Sequence, residues 1–503
     1  MKTPTSEDPR YRLMESALNN PAYRAPVWIK NGGRYFDKGG KFDPHAYDPS
    51  APYEIQGKSF ELPLNPGRKI EDPFDLDNLR FLDPEKIRNL LVRLEGRAAE
   101  IADTGSDKQI VAMIGTGGTI AMTMVGGKLE PTLNPQSLLK YTGGALEERF
   151  AVESAEYPTP IDSSEQEIDY EADLVIAMTW MWSKMSEQLR KRFSGFLVSH
   201  GTDTMGGGST SVAMMLGPNC PFSVGFVGAQ KTIENEFSDV GANVRGSFAT
   251  LSTLHREEQV ACFVFMGGTE GGAFHPAGVI KADDRRANAF ITPLHKRLLD
   301  ASDFGLEGII DSFSRRYQRT LVRGGAKADF CPIILRGYSP VIDLAPKIGT
   351  DPERYYRQIL SDKEAVAVLL TTFGSYTANT KIREAITAAA EQSGKLVLGA
   401  NPFPGGSTAH SYAPAQALRD SGALPVGTLP DATAAKVFLG SVVFGKNREI
   451  LARFLTQNNL IGEQDPGGWM RTRKNGRVRE NPDRSTSEMP RFGAPDAFFR
   501  SGT

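Results

Sequence analysis

Two short loops of the chain combine glycine with hydroxyl side chains in a way that could support nucleophilic chemistry. The first follows an apolar run and has the sequence Ile-Gly-Thr-Gly-Gly-Thr-Ile-Ala, from Ile114 to Ala121. Its glycines would let backbone N–H groups approach a ligand closely, and Thr116 and Thr119 could supply a nucleophile or bind an oxyanion. The loop lacks the full glycine pattern of a dinucleotide site and the Lys-Ser/Thr pair of a phosphate loop. A plain glycine turn is the alternative.

The second loop, Ser199–Met205, has the sequence Ser-His-Gly-Thr-Asp-Thr-Met and also lies between an apolar run and a helical pattern. A threonine beside an aspartate, here Thr202 and Asp203, can attack a substrate or activate water when a base is close. Both residue types are also good helix N-caps, so capping is the alternative. Ligands of open α/β sheets bind outside the carboxyl ends of the strands, and two such loops in one domain favour a shared site.

Around these loops, short apolar runs alternate with helical patterns, which predicts buried parallel strands connected by helices. Strands are expected at Ile110–Ile114, Leu174–Met178, Gly195–Ser199, Ser223–Val227 and Cys262–Met266. Helices are expected at Pro135–Tyr141, Met185–Phe193 and Ser209–Leu216.

The same alternation resumes after a mixed, charged stretch at 291–335, which we interpret as an interdomain connection. Strands are expected there at Val366–Thr371 and Leu396–Ala400, with helices at Ile382–Ser393, Ala413–Ser421 and Ala432–Leu439. The predicted fold is therefore α/β, with a larger N-terminal parallel-sheet domain at 109–330 and a smaller C-terminal α/β domain at 331–455. Residues 1–108 form an extension with one helix near Pro84–Ile101, and 456–503 form a polar, basic tail.

The composition excludes several other classes of protein. The chain has 503 residues with 58 Lys+Arg and 60 Asp+Glu, so charge provides no general attraction to nucleic acid or anionic membranes. The three widely spaced cysteines, Cys220, Cys262 and Cys331, do not form a disulfide framework. Six scattered histidines give no zinc pattern, so neither a metal nor a cofactor is expected. No secretory or membrane-spanning segment is apparent, which favours a cytoplasmic protein.

The pair of motifs Thr-Gly-Gly-Thr-Ile-Ala and His-Gly-Thr-Asp-Thr resembles the signature of the bacterial-type L-asparaginase/glutaminase family. The resemblance covers roughly two-thirds of the chain and implies a larger and a smaller α/β domain. It implies that Thr119 is the primary nucleophile and that Thr202 is the second catalytic threonine. Asp203 matches the substrate-binding aspartate, and Lys281, nine residues before Phe290, matches the lysine that pairs with the second threonine.

Further positions follow from the same resemblance. Gly118 and Gly201 are expected to contribute to substrate binding through their backbone. Ser163, in an Asp-Ser step between the two motifs, matches the substrate-binding serine, and Ser164 is its alternative. In the smaller domain, the glycine-rich segments Phe373–Asn379 and Pro404–Gly406, with Tyr412, match segments through which relatives complete a neighbouring subunit's site. Plain turns are the alternative for these glycines. A homodimer or homotetramer is therefore expected.

One position departs from the family pattern. Relatives carry a tyrosine on a mobile lid after the first motif, and this tyrosine helps to activate the first threonine. Leu129 occupies that slot here and has no hydroxyl. Glu130 could replace the tyrosine, the Thr202–Lys281 pair could act alone, or the substrate could differ.

The resulting hypothesis is an amidohydrolase that releases ammonia from a small carboxamide such as asparagine or glutamine, through a threonine nucleophile and an acyl-enzyme. Two alternatives stay open. The long extensions and the Arg-rich tail are compatible with an ammonia-supplying amidotransferase subunit, and the missing lid tyrosine with a non-catalytic relative that binds a ligand.

Overall fold

The structure is a computed structural model. It describes residues 71–142, 144–217, 220–256, 260–268, 271–283, 286, 288–291, 332–347, 349–373, 376–402, 413–426, 428–446, 448–457, 461 and 463, and the backbone of four short strands at 29–30, 53–55, 58–60 and 299–300. Several parts of the chain that were singled out above lie outside the described residues. They are most of the predicted interdomain connection, the basic part of the tail, Pro404–Gly406, Tyr412 and Cys331.

The described strands are, in chain order, β1 (Ile29–Lys30), β2 (Tyr53–Ile55), β3 (Lys58–Phe60), β4 (Gln109–Gly117), β5 (Met122–Val125), β6 (Lys128–Pro131), β7 (Phe150–Ile161), β8 (Phe193–Ser199), β9 (Val224–Val227), β10 (Cys262–Met266), β11 (Gly272–Phe274), β12 (Ile280–Lys281), β13 (Phe290–Ile291), β14 (Leu299–Asp300), β15 (Val341–Leu344), β16 (Ala367–Thr371), β17 (Leu396–Ala400) and β18 (Leu424–Pro425).

The described helices are α1 (Pro84–Thr104), α2 (Pro135–Leu138), α3 (Ala145–Arg149), α4 (Ile168–Lys184), α5 (Glu187–Arg192), α6 (Met205–Leu216), α7 (Val240–Arg256), α8 (Pro352–Ser361), α9 (Thr380–Ser393), α10 (Ala413–Asp420), α11 (Pro430–Phe444) and α12 (Arg448–Gln457).

Two sheets carry the fold. In the larger one the neighbours are β14–β11–β10–β9–β8–β4–β7; the five strands from β10 to β7 are parallel, and β11 and β14 add antiparallel at one edge. The smaller sheet, β15–β16–β17–β18, is parallel throughout. The predicted α/β fold with a large parallel-sheet domain is confirmed.

One predicted strand is wrong. Leu174–Met178 lies inside helix α4, where these five residues are completely buried. An apolar run that is buried on every side has no period, so periodicity alone cannot separate a helix from a strand. The strand that occupies this part of the chain is β7, which the pattern did not predict. It forms the edge of the sheet and contains Pro158 and Pro160, which lie where its register with β4 shifts; edge strands and bulges both tolerate proline.

The N-terminal segment 71–104 packs onto the larger domain. Helix α1 is capped by the Asp83 carboxylate, which accepts the Glu85 N–H, and ends at Gly105 in the left-handed region. Its buried face contains Ile87, Leu90, Leu94, Ala98 and Ile101, and this face joins the core of the large sheet.

The turn before α1 is tied to α4 by a buried carboxylate. Asp173 accepts the backbone N–H groups of Phe81 and Leu82 at 2.7 and 2.9 Å, and it pairs with Arg336 at 2.8 Å. A buried charge is tolerated when it is paired and fully hydrogen-bonded, and this arrangement meets that condition.

Candidate active site

The two threonine-rich loops leave neighbouring strands at the same edge of the large sheet. Strands β4 and β8 are parallel neighbours, and Gly115 lies opposite Ser199 in their register. Thr116 is buried and its hydroxyl donates to the Ser199 carbonyl at 3.0 Å. Thr116 therefore holds the two loops together, which leaves Thr119 as the hydroxyl of the first loop that is partly accessible.

Close backbone contacts bring the three predicted loops together. Gly118 has a positive φ of 79°, and a Cβ added to it would lie 2.4 Å from the Gly201 Cα. A Cβ on Gly201 would in turn lie 2.4 Å from the Ser163 Cβ. Because Gly118 and Gly201 directly precede Thr119 and Thr202, these contacts place both threonines and Ser163 in one small region.

Thr202, Asp203 and Lys281 form a hydrogen-bonded group in this region. The Lys281 Nζ lies 3.0 Å from the Thr202 Oγ1 and 2.6 Å from the Asp203 Oδ1. Lys281 belongs to β12, where it pairs with the buried Phe290 of β13, so a short hairpin presents the lysine to the second loop. The sequence-predicted partners are thus in direct contact.

This group has the composition of a proton-transfer site. A lysine amine can accept a proton from an adjacent hydroxyl, and a neighbouring carboxylate stabilises the ammonium that forms. The Thr202 side chain is buried, whereas 59% of the Asp203 side chain is exposed. Asp203 therefore keeps carboxylate surface available for a cationic group of a ligand.

Of the two candidate serines, Ser163 is the one in the cluster. It is buried against Gly201 and begins a 3₁₀ turn, Ser163–Glu165, whose N-cap is Asp162. The Ser164 hydroxyl is exposed to solvent and donates to the Asp162 carboxylate at 2.9 Å. The cap interaction therefore occupies Ser164 and leaves Ser163 beside the second loop.

The lid after Thr119 is a β-hairpin. Strands β5 and β6 are joined by Gly126 and Gly127, both with positive φ, as a tight two-residue turn requires. Leu129 pairs with Met124, and their exposed fractions are 47% and 54%. The hairpin is tethered to the large domain by the Met124 N–H, which donates to the Glu234 carboxylate at 2.9 Å. The lid therefore presents an apolar surface to solvent.

A cleft of about 630 Å³ opens beside the Thr202–Lys281 pair and is lined by both domains. The start of α6 contributes Gly206–Gly208, and the smaller domain contributes the start of α11, including Asp431. Burial raises the pKa of Asp431, and the charge of Asp343 raises it further. This acidic wall was not predicted, because it depends on how the two domains pack.

Two buried polar residues support the second loop from behind. His200 is fully buried; its Nδ1–H donates to the Gly201 carbonyl at 2.7 Å, and its Nε2 lies 3.7 Å from the Glu171 Oε1. Glu171 lines the cleft and one of its oxygens, Oε2, has no hydrogen-bond partner among the described residues. Sequence analysis missed Glu171, although a carboxylate within the apolar stretch of α4 was a usable signal.

In the smaller domain, the described residues of the predicted site segment Phe373–Asn379 have structural roles. Tyr376 is completely buried, and its hydroxyl lies 3.4 Å from the Ala423 carbonyl. The Asn379 side chain caps helix α9 by accepting the Lys381 N–H. Gly374 and Ser375 lie outside the described residues.

Within the described residues, three or more metal-ligating side chains do not cluster anywhere. Nor does any helix there combine the length and the apolar character needed to cross a bilayer.

Comparison with known proteins shows similarity to asparaginase sequences. Residues 110–307 match the model of the asparaginase N-terminal domain. A glutamyl-tRNA(Gln) amidotransferase subunit of Thermoplasma volcanium is 25% identical over 31% of this chain and 36% of that protein. The 60 kDa lysophospholipase of mouse is 26% identical over 63% of this chain and 56% of that protein. The alignments thus span about a third and just over half of these two relatives. The corresponding amidotransferase subunit of Aeropyrum pernix is 24% identical over 70% of this chain and 79% of that protein.

Solved structures share the fold. The thermostable L-asparaginase of Thermococcus kodakarensis aligns with a TM-score of 0.57 and 19% identity, over 71% of this chain and 99% of that one. L-asparaginase I of Vibrio cholerae aligns with a TM-score of 0.54 and 20% identity, over the same shares of the two chains. Residues 110–307 therefore resemble the asparaginase N-terminal domain, and the chain shares the fold of the L-asparaginases.

Proposed function

We propose that the protein is an amidohydrolase that releases ammonia from a small carboxamide, either asparagine, glutamine or a related amide. The observation that carries this proposal is the Thr202–Lys281–Asp203 group, which belongs to the loop whose Gly201 lies against Gly118, the residue before Thr119. The match of residues 110–307 to the asparaginase domain supports the same chemistry.

In this proposal the Thr119 hydroxyl attacks the carboxamide carbon. The C–N bond then breaks as the amide nitrogen takes up the proton that the hydroxyl gave to the base, so that it leaves as ammonia, and water hydrolyses the acyl-enzyme ester. Lys281 in its neutral form accepts a proton through Thr202, and Asp203 binds the ammonium group of an amino-acid substrate. Backbone N–H groups of the glycine turns stabilise the oxyanion; one such donor contributes roughly 2.7–4 kcal/mol in other enzymes.

The test is a panel of small amides with ammonia release as the readout. We expect wild-type protein to release ammonia from at least one amide, and Thr119→Ala and Lys281→Met each to reduce kcat by about 10²-fold or more. Thr104→Ala, at the exposed end of α1, is the control for loss of a surface hydroxyl and should behave as wild type. If Thr119→Ala keeps most of the activity, Thr119 is not the nucleophile. If every amide is left intact, a ligand-binding relative becomes the better interpretation.

A second candidate is an ammonia-supplying amidotransferase subunit. It is supported by the alignment with the amidotransferase subunit of Aeropyrum pernix, which spans 79% of that protein. Copurification of a partner protein or RNA with the tagged chain from its native host would favour this candidate. A homodimer or homotetramer that is active alone, by light scattering and ammonia release, would favour the free-standing enzyme.

A further inference from the structure

The cleft beside the Thr202–Lys281 pair extends beyond that pair to the smaller domain. Its volume of about 630 Å³ is typical of sites that hold drug-sized ligands, which are larger than a single amino acid. Neither Thr119 nor Ser163 lines it. A small carboxamide held at Thr119 would therefore leave much of this space empty.

Carboxylates outnumber cations among the described residues of the cleft wall. The carboxylates are Glu171, Asp203 and Asp431, and the one cation is Lys281. Because the Lys281 Nζ pairs with the Asp203 carboxylate at 2.6 Å, this cation is already committed. The described wall therefore offers no second cation to Glu171 and Asp431.

Glu171 is the more buried of these two carboxylates. The residue is 4% exposed, and its Oε1 accepts the Gln166 Nε2–H at 3.0 Å. Its Oε2 has no hydrogen-bond partner among the described residues, and the His200 Nε2, at 3.7 Å from Oε1, is too distant for a hydrogen bond. A buried carboxylate oxygen without a donor costs free energy, and a cationic group that donates to it offsets that cost.

Asp431 faces the cleft from the first turn of α11. Its side chain is exposed, yet the surrounding walls restrict its solvation and raise its pKa, and the charge of Asp343 raises the pKa further. An exposed carboxylate that is nevertheless partly desolvated lies in a concave site. A cation bound there would stabilise its charged form.

The glycines at the start of α6 allow both carboxylates to approach this helix. A Cβ on Gly207 would lie 3.7 Å from the Asp431 Oδ2, and one on Gly208 would lie 2.7 Å from the Glu171 Oε1. Successive residues of a helix point about 100° apart, so the carboxylates reach α6 from different directions. The helix dipole attracts anions to this end of α6, but it gives the Glu171 Oε2 no hydrogen bond.

We propose that the cleft binds an aliphatic cation with two amino groups, one held by Glu171 and the other by Asp431. Two positive charges match the two carboxylates that the wall leaves without a cation. Ile168, Val279 and Leu429 add apolar surface to the same wall, which suits the alkyl chain between the amino groups. The cation is either a separate ligand or the tail of a carboxamide substrate, and the second case rests on the proposed function.

Calorimetric titration of the full chain with putrescine, cadaverine and hexamethylenediamine, at constant ionic strength, tests this proposal. We expect at least one diamine to bind at one saturable site per chain, and the monoamine of the same chain length to bind at least tenfold more weakly. Asp431→Asn and Glu171→Gln should each lower the affinity at least tenfold. The proposal is overturned if no diamine shows saturable binding, if the monoamine binds equally well, or if both variants bind as wild type does.

The two variants are nearly isosteric and remove only the negative charge. Glu353→Gln is the matched control, because it neutralises an exposed carboxylate in the first turn of α8 in the same domain and should bind diamines as wild type does. Urea unfolding establishes that each variant is folded. If Glu171→Gln does not fold, Asp431→Asn, on the exposed wall, decides the outcome by the same tenfold criterion.

Ammonia release then identifies the source of the cation. If the cation is the tail of a substrate, the diamine competes with the amide, and 6-aminohexanamide is cleaved with a kcat/KM at least tenfold above that of hexanamide, an advantage that Asp431→Asn removes. If it is a separate ligand, the diamine does not compete with the amide. Either result supports the site. A protein that binds diamines through Glu171 and Asp431 but cleaves no amide would reject the proposed function and support the cleft site.

Discussion

Because Gly201 has no side chain, the loops that contain Gly118, Ser163 and Gly201 can approach each other closely. A Cβ there would lie 2.4 Å from both Cβ and Oγ of Ser163, and neither the strand end nor the buried turn can yield easily. We expect Gly201→Ala to shift Thr202 and to lower kcat/KM for ammonia release by about 10²-fold, as a misplacement of about 1 Å does in other enzymes.

The stability of the same variant should change less than its activity, because overpacking typically costs about 1–3 kcal/mol. Gly96→Ala is the matched control, since a Cβ at this position of α1 meets nothing within 4 Å. It should leave activity unchanged and stabilise the helix by about 0.5–1 kcal/mol. Full activity in a folded Gly201→Ala protein would show that the loops have more freedom than this contact implies.

His275 makes stability depend on pH. Its Nδ1 accepts the Ala277 N–H at 3.1 Å and its Nε2–H donates to the Ile461 carbonyl at 2.8 Å, so the neutral ring satisfies both contacts. Burial lowers the pKa of His275 from 6.5 to about 4. The unfolded chain therefore binds the extra proton between these values, and stability falls as the pH falls from about 6.5 toward 4.

From pH 7 to pH 5 this single group should cost about 2 kcal/mol of unfolding free energy. Urea unfolding at the two pH values measures the loss, and His275→Gln should show a loss smaller by about that amount. The same loss in both proteins would mean that other groups produce the acid sensitivity.

Among the elements, those with a clear period could be predicted from the sequence. The strand expected at Ile110–Ile114 lies within β4, and the helix expected near Pro84–Ile101 is α1, because its apolar residues recur on one face. The run Leu174–Met178 is apolar on all sides, so its pattern could not distinguish the helix from a strand. The cleft wall at Asp431 could not be predicted from the sequence, because its position depends on packing between residues that are more than 200 positions apart in the chain.

The lid hairpin is the element at which this chain departs from the tyrosine-bearing pattern. Leu129 exposes apolar surface, and burying it against a ligand could contribute about 1.5–3 kcal/mol, so a substrate with an apolar group beside the amide is favoured. We expect low activity on asparagine and an increase in Leu129→Tyr, which restores a hydroxyl on the lid. Met124→Tyr, on the paired strand, is the control for added aromatic surface. A high wild-type rate that Leu129→Tyr leaves unchanged would point to Glu130, with Glu130→Gln as the next variant.

For the whole molecule, the chain is longer than the solved L-asparaginases that share its fold. The alignment covers 99% of the Thermococcus kodakarensis enzyme but 71% of this chain. Helix α1 lies before the matched domain at residues 110–307, yet its apolar face belongs to the core of the large sheet. Residues 71–104 therefore contribute to the folded body rather than acting as a separate linker.

At the other end of the chain, Ile461 and Glu463 connect the two domains. Ile461 contacts His275 of the larger domain, and Glu463 pairs with the buried Lys436 of α11 at 2.7 Å. Desolvation lowers the pKa of Lys436, whereas Glu463 raises it. Removing Glu463 would take the carboxylate away from a buried ammonium group, and breaking a buried ion pair typically costs about 3–5 kcal/mol.

Ile461 and Glu463 together form an anchor for the tail, and two truncations separate this anchor from the residues that follow it. A chain that ends at residue 465 keeps Ile461 and Glu463, and we expect it to match the full chain in unfolding free energy and in ammonia release. A chain that ends at 460 should lose about 3–5 kcal/mol. Lys436→Met in the shorter chain should recover part of that loss, because the buried charge that Glu463 neutralises is then absent. If the chain ending at 465 folds but loses activity, the tail beyond the anchor contributes to the active site or to a subunit contact. In that case Lys436→Met would not restore the activity.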